Sequence, residues 1–84
     1  MTTEKEVVAI LDAVLGLRGR ANSFQRDTLL LGAVPELDSM AVLGILTSIE
    51  DRFGFTIADD EIDGSVFATL GSLVDFVHAK LAAP

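Results

Sequence analysis

Within the 84 residues of the chain, the segment Glu36-Leu37-Asp38-Ser39-Met40 holds the combination best suited to chemistry. A serine hydroxyl follows an acidic residue at the mouth of an aliphatic run with helical spacing, which places it at the positive end of a helix dipole. The first N–H groups of a helix have no intrahelical partner and point outward, so a phosphate ester on Ser39 is stabilised there. Nucleophilic catalysis by Ser39 needs other things: an adjacent base and an oxyanion hole. The flanking residues do not form the Gly-x-Ser-x-Gly elbow of hydrolases, and nothing in the sequence brings His78, the one imidazole, near Ser39. Ser39 therefore reads as the substrate of another enzyme's chemistry, and His78 as an ordinary residue of a helix surface.

A second cluster, Asp59-Asp60-Glu61-Ile62-Asp63-Gly64, invites a calcium-loop reading, with Asp59, Glu61 and Asp63 at the first, third and fifth positions and Gly64 at the sixth. The twelfth position, where such a loop requires a bidentate carboxylate, is Leu70. Without Cys and with one His, the chain also lacks thiolate or imidazole sets for zinc, so no metal site is expected. Thirteen acidic against six basic residues give a net charge of -7, which repels nucleic-acid phosphates and anionic lipid and attracts basic protein patches.

These residues have to be positioned by helices. Val7, Ile10, Leu11, Val14, Leu15 and Leu17 recur at three- and four-residue spacing, with Thr3 and Glu6 as a capping box ahead of them and Arg18-Gly19-Arg20 as the stop. From Ala21 to Leu37 the periodicity weakens, giving a long loop that still contributes Phe24, Leu29, Leu30 and Val34 to the core. A second helix opens at Asp38-Ser39, with Asp38 as N-cap, carries Val42, Leu43, Ile45, Leu46, Ile49 and Phe53 on a wide apolar stripe, and stops at Gly54. Its outer face is expected to show Ala41, Gly44 and Thr47, with Glu50 and Asp51 near its end. Phe55-Thr56-Ile57 reads as a short extended stretch, and the acids of Asp59-Asp60-Glu61 suit the first turn of a very short third helix. Thr69 caps a last helix that turns Leu70, Leu73, Val74, Val77 and Leu81 inward and ends near Pro84. The expected fold is all-α, a four-helix bundle of three longer helices and one short third helix, in one domain over residues 1–84. No apolar run approaches the roughly 20 residues that cross a bilayer, and the polar, acidic start at Met1 to Glu6 is unlike a secretory signal. A cytoplasmic monomer is expected.

Asp38-Ser39-Met40 at the head of a long helix, midway along a small acidic helical chain, resembles the acyl carrier protein family of phosphopantetheine-binding domains. The likeness extends over Asp27-Thr28-Leu29-Leu30, Ile49-Glu50-Asp51-Arg52-Phe53-Gly54 and Thr69. It implies a carrier, not an enzyme, whose Ser39 hydroxyl receives a 4'-phosphopantetheine arm from coenzyme A through a separate phosphopantetheinyl transferase. Asp38 then orients the attachment site, Met40 and Ala41 meet partners, and Glu50 and Asp51 are the acids that face a basic patch. Val42, Leu46, Phe24, Val66 and Phe67 are expected to line an expandable interior for the acyl chain.

The chain departs from the housekeeping fatty-acid carriers in having Glu36 two residues before Asp38, where those usually have Gly, and in lacking acids along the outer face of helix two. Leu30 to Val42 looks most like specialised bacterial carriers of exosortase and exopolysaccharide systems, which implies a dedicated acyl ligase or acyltransferase. An aminoacyl or peptidyl carrier shares the same motif and fold, and an acidic calcium- or protein-binding helical module is the alternative from another class.

Overall fold

The computed structural model describes residues 2–82. It contains three α-helices, α1 (Thr3–Leu15), α2 (Ser39–Phe53) and α3 (Leu70–Ala82), with short 3₁₀ turns at Arg20–Ser23 and Asp59–Glu61. Among the described residues there is no strand, only one isolated antiparallel bridge between Leu29 and Thr69. The architecture is all-α as expected. The short third helix proves to be a single 3₁₀ turn, held by Glu61 N–H on the Ala58 carbonyl (3.0 Å) and by the Glu61 carboxylate on Ala58 N–H (2.7 Å). Three residues are too few to start the i to i−4 ladder of an α-helix.

The ends of α1 fall earlier than the sequence suggests. Thr2, not Thr3, is the N-cap, its Oγ1 accepting Lys5 N–H at 3.2 Å. Glu6 does not close a capping box; its carboxylate reaches α2 and accepts from Arg52 at 2.9 and 2.6 Å. At the other end Gly16 takes the left-handed conformation (φ 65°) and stops the helix one turn before Gly19. The apolar pattern continued through Leu17 because that residue, although outside the helix, is buried in the core. Asp12 organises this exit, accepting Gly19 N–H at 2.9 Å and Ala21 N–H at 3.2 Å.

The core is aliphatic. Val7 and Leu11 of α1, Ile45 and Ile49 of α2, and Leu70, Leu73, Val74 and Val77 of α3 meet at its centre, with Leu30, Leu37 and Phe67 added from the connections. Three residues expected inside are outside: Leu29 is 61% exposed, beside fully buried Leu30 in the bridged segment where successive side chains alternate, Leu43 is 59% exposed and Leu81 is 45% exposed. At about 100° per residue, Leu43 stands about 200° around α2 from Ile45, opposite the buried stripe. Leu81 lies in the last turn of α3, at the edge of the bundle, and Pro84 falls outside the described residues. Gly44, expected on the outer face, instead abuts α1: a Cβ there would lie 3.2 Å from Val14 Cγ1.

The long connection between α1 and α2 is strapped to the start of α3. Leu30 N–H and Leu31 N–H donate to the carbonyls of Ala68 and Phe67, both at 3.0 Å, and the Thr28 and Arg26 carbonyls accept Leu70 N–H (3.0 Å) and Gly71 N–H (2.8 Å). Those last two bonds satisfy donors that a helix leaves open in its first turn. Thr69 caps α3 as expected, in a reciprocal pair with Ser72: Thr69 Oγ1 accepts Ser72 N–H at 3.0 Å and Ser72 Oγ accepts Thr69 N–H at 3.1 Å.

Candidate functional site

Leu37 is buried, Asp38 is extended (φ -117°, ψ -175°), and Ser39 is the first residue of α2. The anchor before the site and the helix after it are thus both fixed, while Asp38, Ser39 and Met40 face solvent. A stack of turns leads in: Val34 N–H donates to the Leu30 carbonyl at 2.9 Å and Leu37 N–H to the Val34 carbonyl at 3.0 Å. An ion pair between Arg20 and Glu36 ties that lead-in to the turn after α1. The Arg20 hydrogen bond, helped by the backbone N–H of Glu36 itself, holds the Glu36 carboxyl below its ordinary range.

Asp38 caps α2. Its Oδ1 accepts Ala41 N–H at 2.8 Å and its carbonyl accepts Val42 N–H at 2.9 Å. The N–H groups of Ser39 and Met40 are left open at the positive end of α2, and among the described residues no hydrogen bond reaches the Ser39 hydroxyl. A hydroxyl without a base has no means of its own activation. An exposed hydroxyl beside two open amides does fit a phosphodiester, whose anionic oxygens those amides and the helix dipole stabilise.

On the same face of α2, three, four, seven, eight and eleven residues after Ser39, stand Val42, Leu43, Leu46, Thr47 and Glu50, which line one wall of an open groove of about 300 Å³. Ile57, Ala58 and Ile62 form its other wall. Of the residues expected to line an acyl-binding interior, Val42 and Leu46 are here. Val66 and Phe67 are packed into the core, and Phe24 borders other clefts, near Val8 and near Leu17. The second wall was invisible to periodicity because it comes from the irregular segment after α2. One signal was available: Ile57 and Ile62 flank the acidic turn as apolar residues without a helix to belong to.

Glu50 plays a structural part at the far end of the groove. It is half-buried, and its Oε2 accepts Ile57 N–H at 2.7 Å, fastening the second wall to α2. Asp51 is exposed, whereas Arg52 is engaged with Glu6. Ala41 is partly buried against the core and Met40 is 76% exposed.

Glu61 and Asp63 of the acidic segment after α2 are occupied by local contacts. Glu61 bonds Lys80 at 2.8 and 3.0 Å, and Asp63 accepts Ser65 N–H at 2.9 Å and the Ser65 hydroxyl. The Lys80 bond lowers the Glu61 pKa, and the Ser65 hydrogen bonds lower that of Asp63. Leu70, at the position a calcium loop reserves for a carboxylate, is fully buried. Among the described residues no three metal-ligating side chains converge, His78 is exposed on α3, and no helix is long and apolar enough to cross a membrane.

Comparison with known proteins agrees with this geometry. The family model described as the phosphopantetheine attachment site matches residues 5–77. The chain belongs to the acyl carrier protein family. A curated acyl carrier protein from an Exiguobacterium species is 33% identical over 88 residues, covering 96% of this chain and 100% of that one. The solution NMR structure of a holo acyl carrier protein from Nitrosomonas europaea superposes with a TM-score of 0.91 at 44% identity, covering 99% of this chain and 100% of that one. The protein is accordingly a carrier with a phosphopantetheine prosthetic group, and not an enzyme.

Proposed function

We infer that Ser39 is the attachment point, and that the protein carries an acyl group there for the enzymes of a specialised acyl-transfer or biosynthetic pathway. The observation that carries this reading is the exposed Ser39 hydroxyl beside the open N–H groups of Ser39 and Met40, at the head of a groove that continues along the same face of α2. Bound at Ser39, phosphopantetheine supplies the thiol that holds the acyl group as a thioester. The residues of the chain do the rest. Asp38 fixes the first turn of α2 and with it the direction of the Ser39 hydroxyl, the two open amides hold the phosphate, and Val42, Leu43, Leu46 and Ile62 offer an apolar wall to a cargo chain.

In this reading a phosphopantetheinyl transferase modifies Ser39, and an acyl ligase or acyltransferase then loads the arm. Met40 and Ala41 lie where such partners seat, with Glu50 and Asp51 as the acids toward the end of α2. The absence of a charged residue before Glu50 in α2 supports a dedicated pathway over general fatty-acid synthesis. The site of action is placed in the cytoplasm, with the protein as a monomer. Incubation with coenzyme A and a promiscuous phosphopantetheinyl transferase, followed by intact mass, tests the assignment. The wild type gains one arm and Ser39→Ala gains none; an unmodified wild type, or a modified Ser39→Ala, rejects it.

A further inference from the structure

The chain entering Leu37 is weakly anchored along residues 32–36. Leu31 N–H is the last backbone donor there to leave the segment, reaching the Phe67 carbonyl at 3.0 Å; the bonds from Ala33, Val34 and Leu37 N–H all return to the carbonyls of Leu30 or Val34. Gly32, Ala33 and Pro35 are exposed. Among the described residues, one hydrogen bond ties residues 32–36 to another part of the molecule, and it is the ion pair of Glu36 with Arg20.

Arg20 is itself held in place from α1. The Asp12 carboxylate accepts Gly19 N–H at 2.9 Å and Ala21 N–H at 3.2 Å, one residue to either side of Arg20, and Arg20 Nε donates to the Leu17 carbonyl at 3.2 Å. Ala21 and Leu17 are both buried, so the base of the Arg20 side chain sits on the core. Across the pair, Glu36 precedes buried Leu37 and the cap Asp38. The Glu36 side chain is half-buried and its Oε1 is enclosed without a hydrogen-bond partner, which leaves Arg20 as its one charged partner among the described residues. A partly buried carboxylate that loses such a partner turns toward water and takes its backbone with it. We propose that Arg20 and Glu36 are positioning residues, a brace anchored on α1 through Asp12, that fixes the chain entering α2 and thereby the direction in which the Ser39 hydroxyl meets the phosphopantetheinyl transferase. This rests on Ser39 being the attachment point.

In the transfer, the Ser39 oxygen bonds to the phosphorus that carries the pantetheine arm of coenzyme A, the bond from that phosphorus to its bridging oxygen breaks, adenosine bisphosphate leaves, and the enzyme takes the hydroxyl proton. An oxygen that samples several directions is aligned for attack only part of the time, which lowers kcat and leaves KM nearly unchanged. The test uses the full chain, coenzyme A and a bacterial phosphopantetheinyl transferase, with kcat and KM followed by intact mass. Glu36→Gln and Arg20→Met each lower kcat about two- to fivefold, the range that one exposed ion pair supplies, and change KM less than about twofold. Arg20→Lys, which keeps the charge, falls between Arg20→Met and the wild type. The double variant is no slower than the slower single, because both remove one contact. Arg18, exposed and outside the ion pairs, is the control: Arg18→Met removes the same charge two residues away and leaves kcat unchanged. Backbone amide order parameters read the brace without the enzyme, falling at Ala33, Val34 and Glu36 from about 0.85 toward about 0.6 in Glu36→Gln while those of α1 and α3 stay in place. The fold is kept, with Tm moving by less than about 8 °C.

Single variants with the wild-type kcat, a loss carried by KM, a double variant slowed by the product of the singles, Arg18→Met as slow as Arg20→Met, or order parameters that do not move each overturn the proposal while leaving the attachment at Ser39 intact. If the wild type takes up no arm at saturating enzyme, the attachment point itself is wrong, and the positioning role falls with it.

Discussion

Replacing Asp38 by Ala removes the acceptor of a 2.8 Å bond from Ala41 N–H and leaves α2 with one more open donor in its first turn. Losing an N-cap of this kind costs about 0.5–2 kcal/mol, and about 1 kcal/mol is typical. For a chain of 84 residues, each kcal/mol lowers Tm by about 4–8 °C. Asp38→Asn keeps a side-chain oxygen of the same reach and gives up only the charge, whose interaction with the exposed helix end is about 0.3–1 kcal/mol at low salt and less when screened. Melts followed by circular dichroism at low salt and at about 0.15 M salt therefore separate two effects. The gap between the Asn and Ala variants persists at both, while the gap between wild type and Asn shrinks as salt is added. Transfer of the arm to Ser39 is slower in the Ala variant than in the Asn variant, because a frayed first turn no longer fixes the hydroxyl. If Asn melts together with Ala at the higher salt, or if Ala melts with the wild type, the cap does not hold the site as described.

Four further outcomes follow from the structure. Gly71→Ala places a Cβ 2.8 Å from the Arg26 carbonyl oxygen; overpacking of about 1–3 kcal/mol outweighs a helix-propensity gain of at most about 1 kcal/mol, so Tm falls, and a variant melting at or above the wild type contradicts that contact. Ile49→Ala empties a fully buried position at about 2–5 kcal/mol and lowers Tm by about 10 °C or more in calorimetry, where a smaller loss means that the site collapses. Glu36, Glu61 and Asp63 have pKa values below their ordinary 4.5, 4.5 and 3.8. Groups depressed on folding stabilise the protein in full above those ordinary values and lose that contribution as pH drops through the lowered ones; Tm should be flat from pH near neutral down to the carboxylate range and then fall, and a Tm that rises on acidification reverses the sign. Calcium titration by calorimetry gives no micromolar site, because Glu61 and Asp63 are already bound to Lys80 and Ser65; a site that Asp63→Ala removes contradicts this.

The parts of the fold that sequence revealed are those in which one residue makes one decision. Asp38 has a carboxylate at the start of a long aliphatic stripe, and the structure uses it as the cap of α2. Thr69 does the same for α3, where Ser72 adds a reciprocal bond that no spacing signal marks. Competing residues were harder to read. Gly16 and Gly19 both adopt positive φ, and the helix stops at the first of them, while buried Leu17 prolongs the apolar pattern past the end. Leu43 is hydrophobic and falls within a helical stripe, but only the direction of Ile45 and Ile49 reveals that it stands outside. The second wall of the groove was beyond reach, since Ile57, Ala58 and Ile62 come from a segment without periodicity and are brought to α2 by the Glu50 carboxylate. A charged residue assigned to the surface was thus the one that shapes the groove.

The assignment of Ser39 is tested most directly on the protein taken from its own cell with its modification intact. Fragmentation mass spectrometry is predicted to find a phosphodiester-linked phosphopantetheine, with any acyl group still attached, on the peptide containing Ser39. An unmodified Ser39 in protein from growing cells, or the arm on any other residue, contradicts the account.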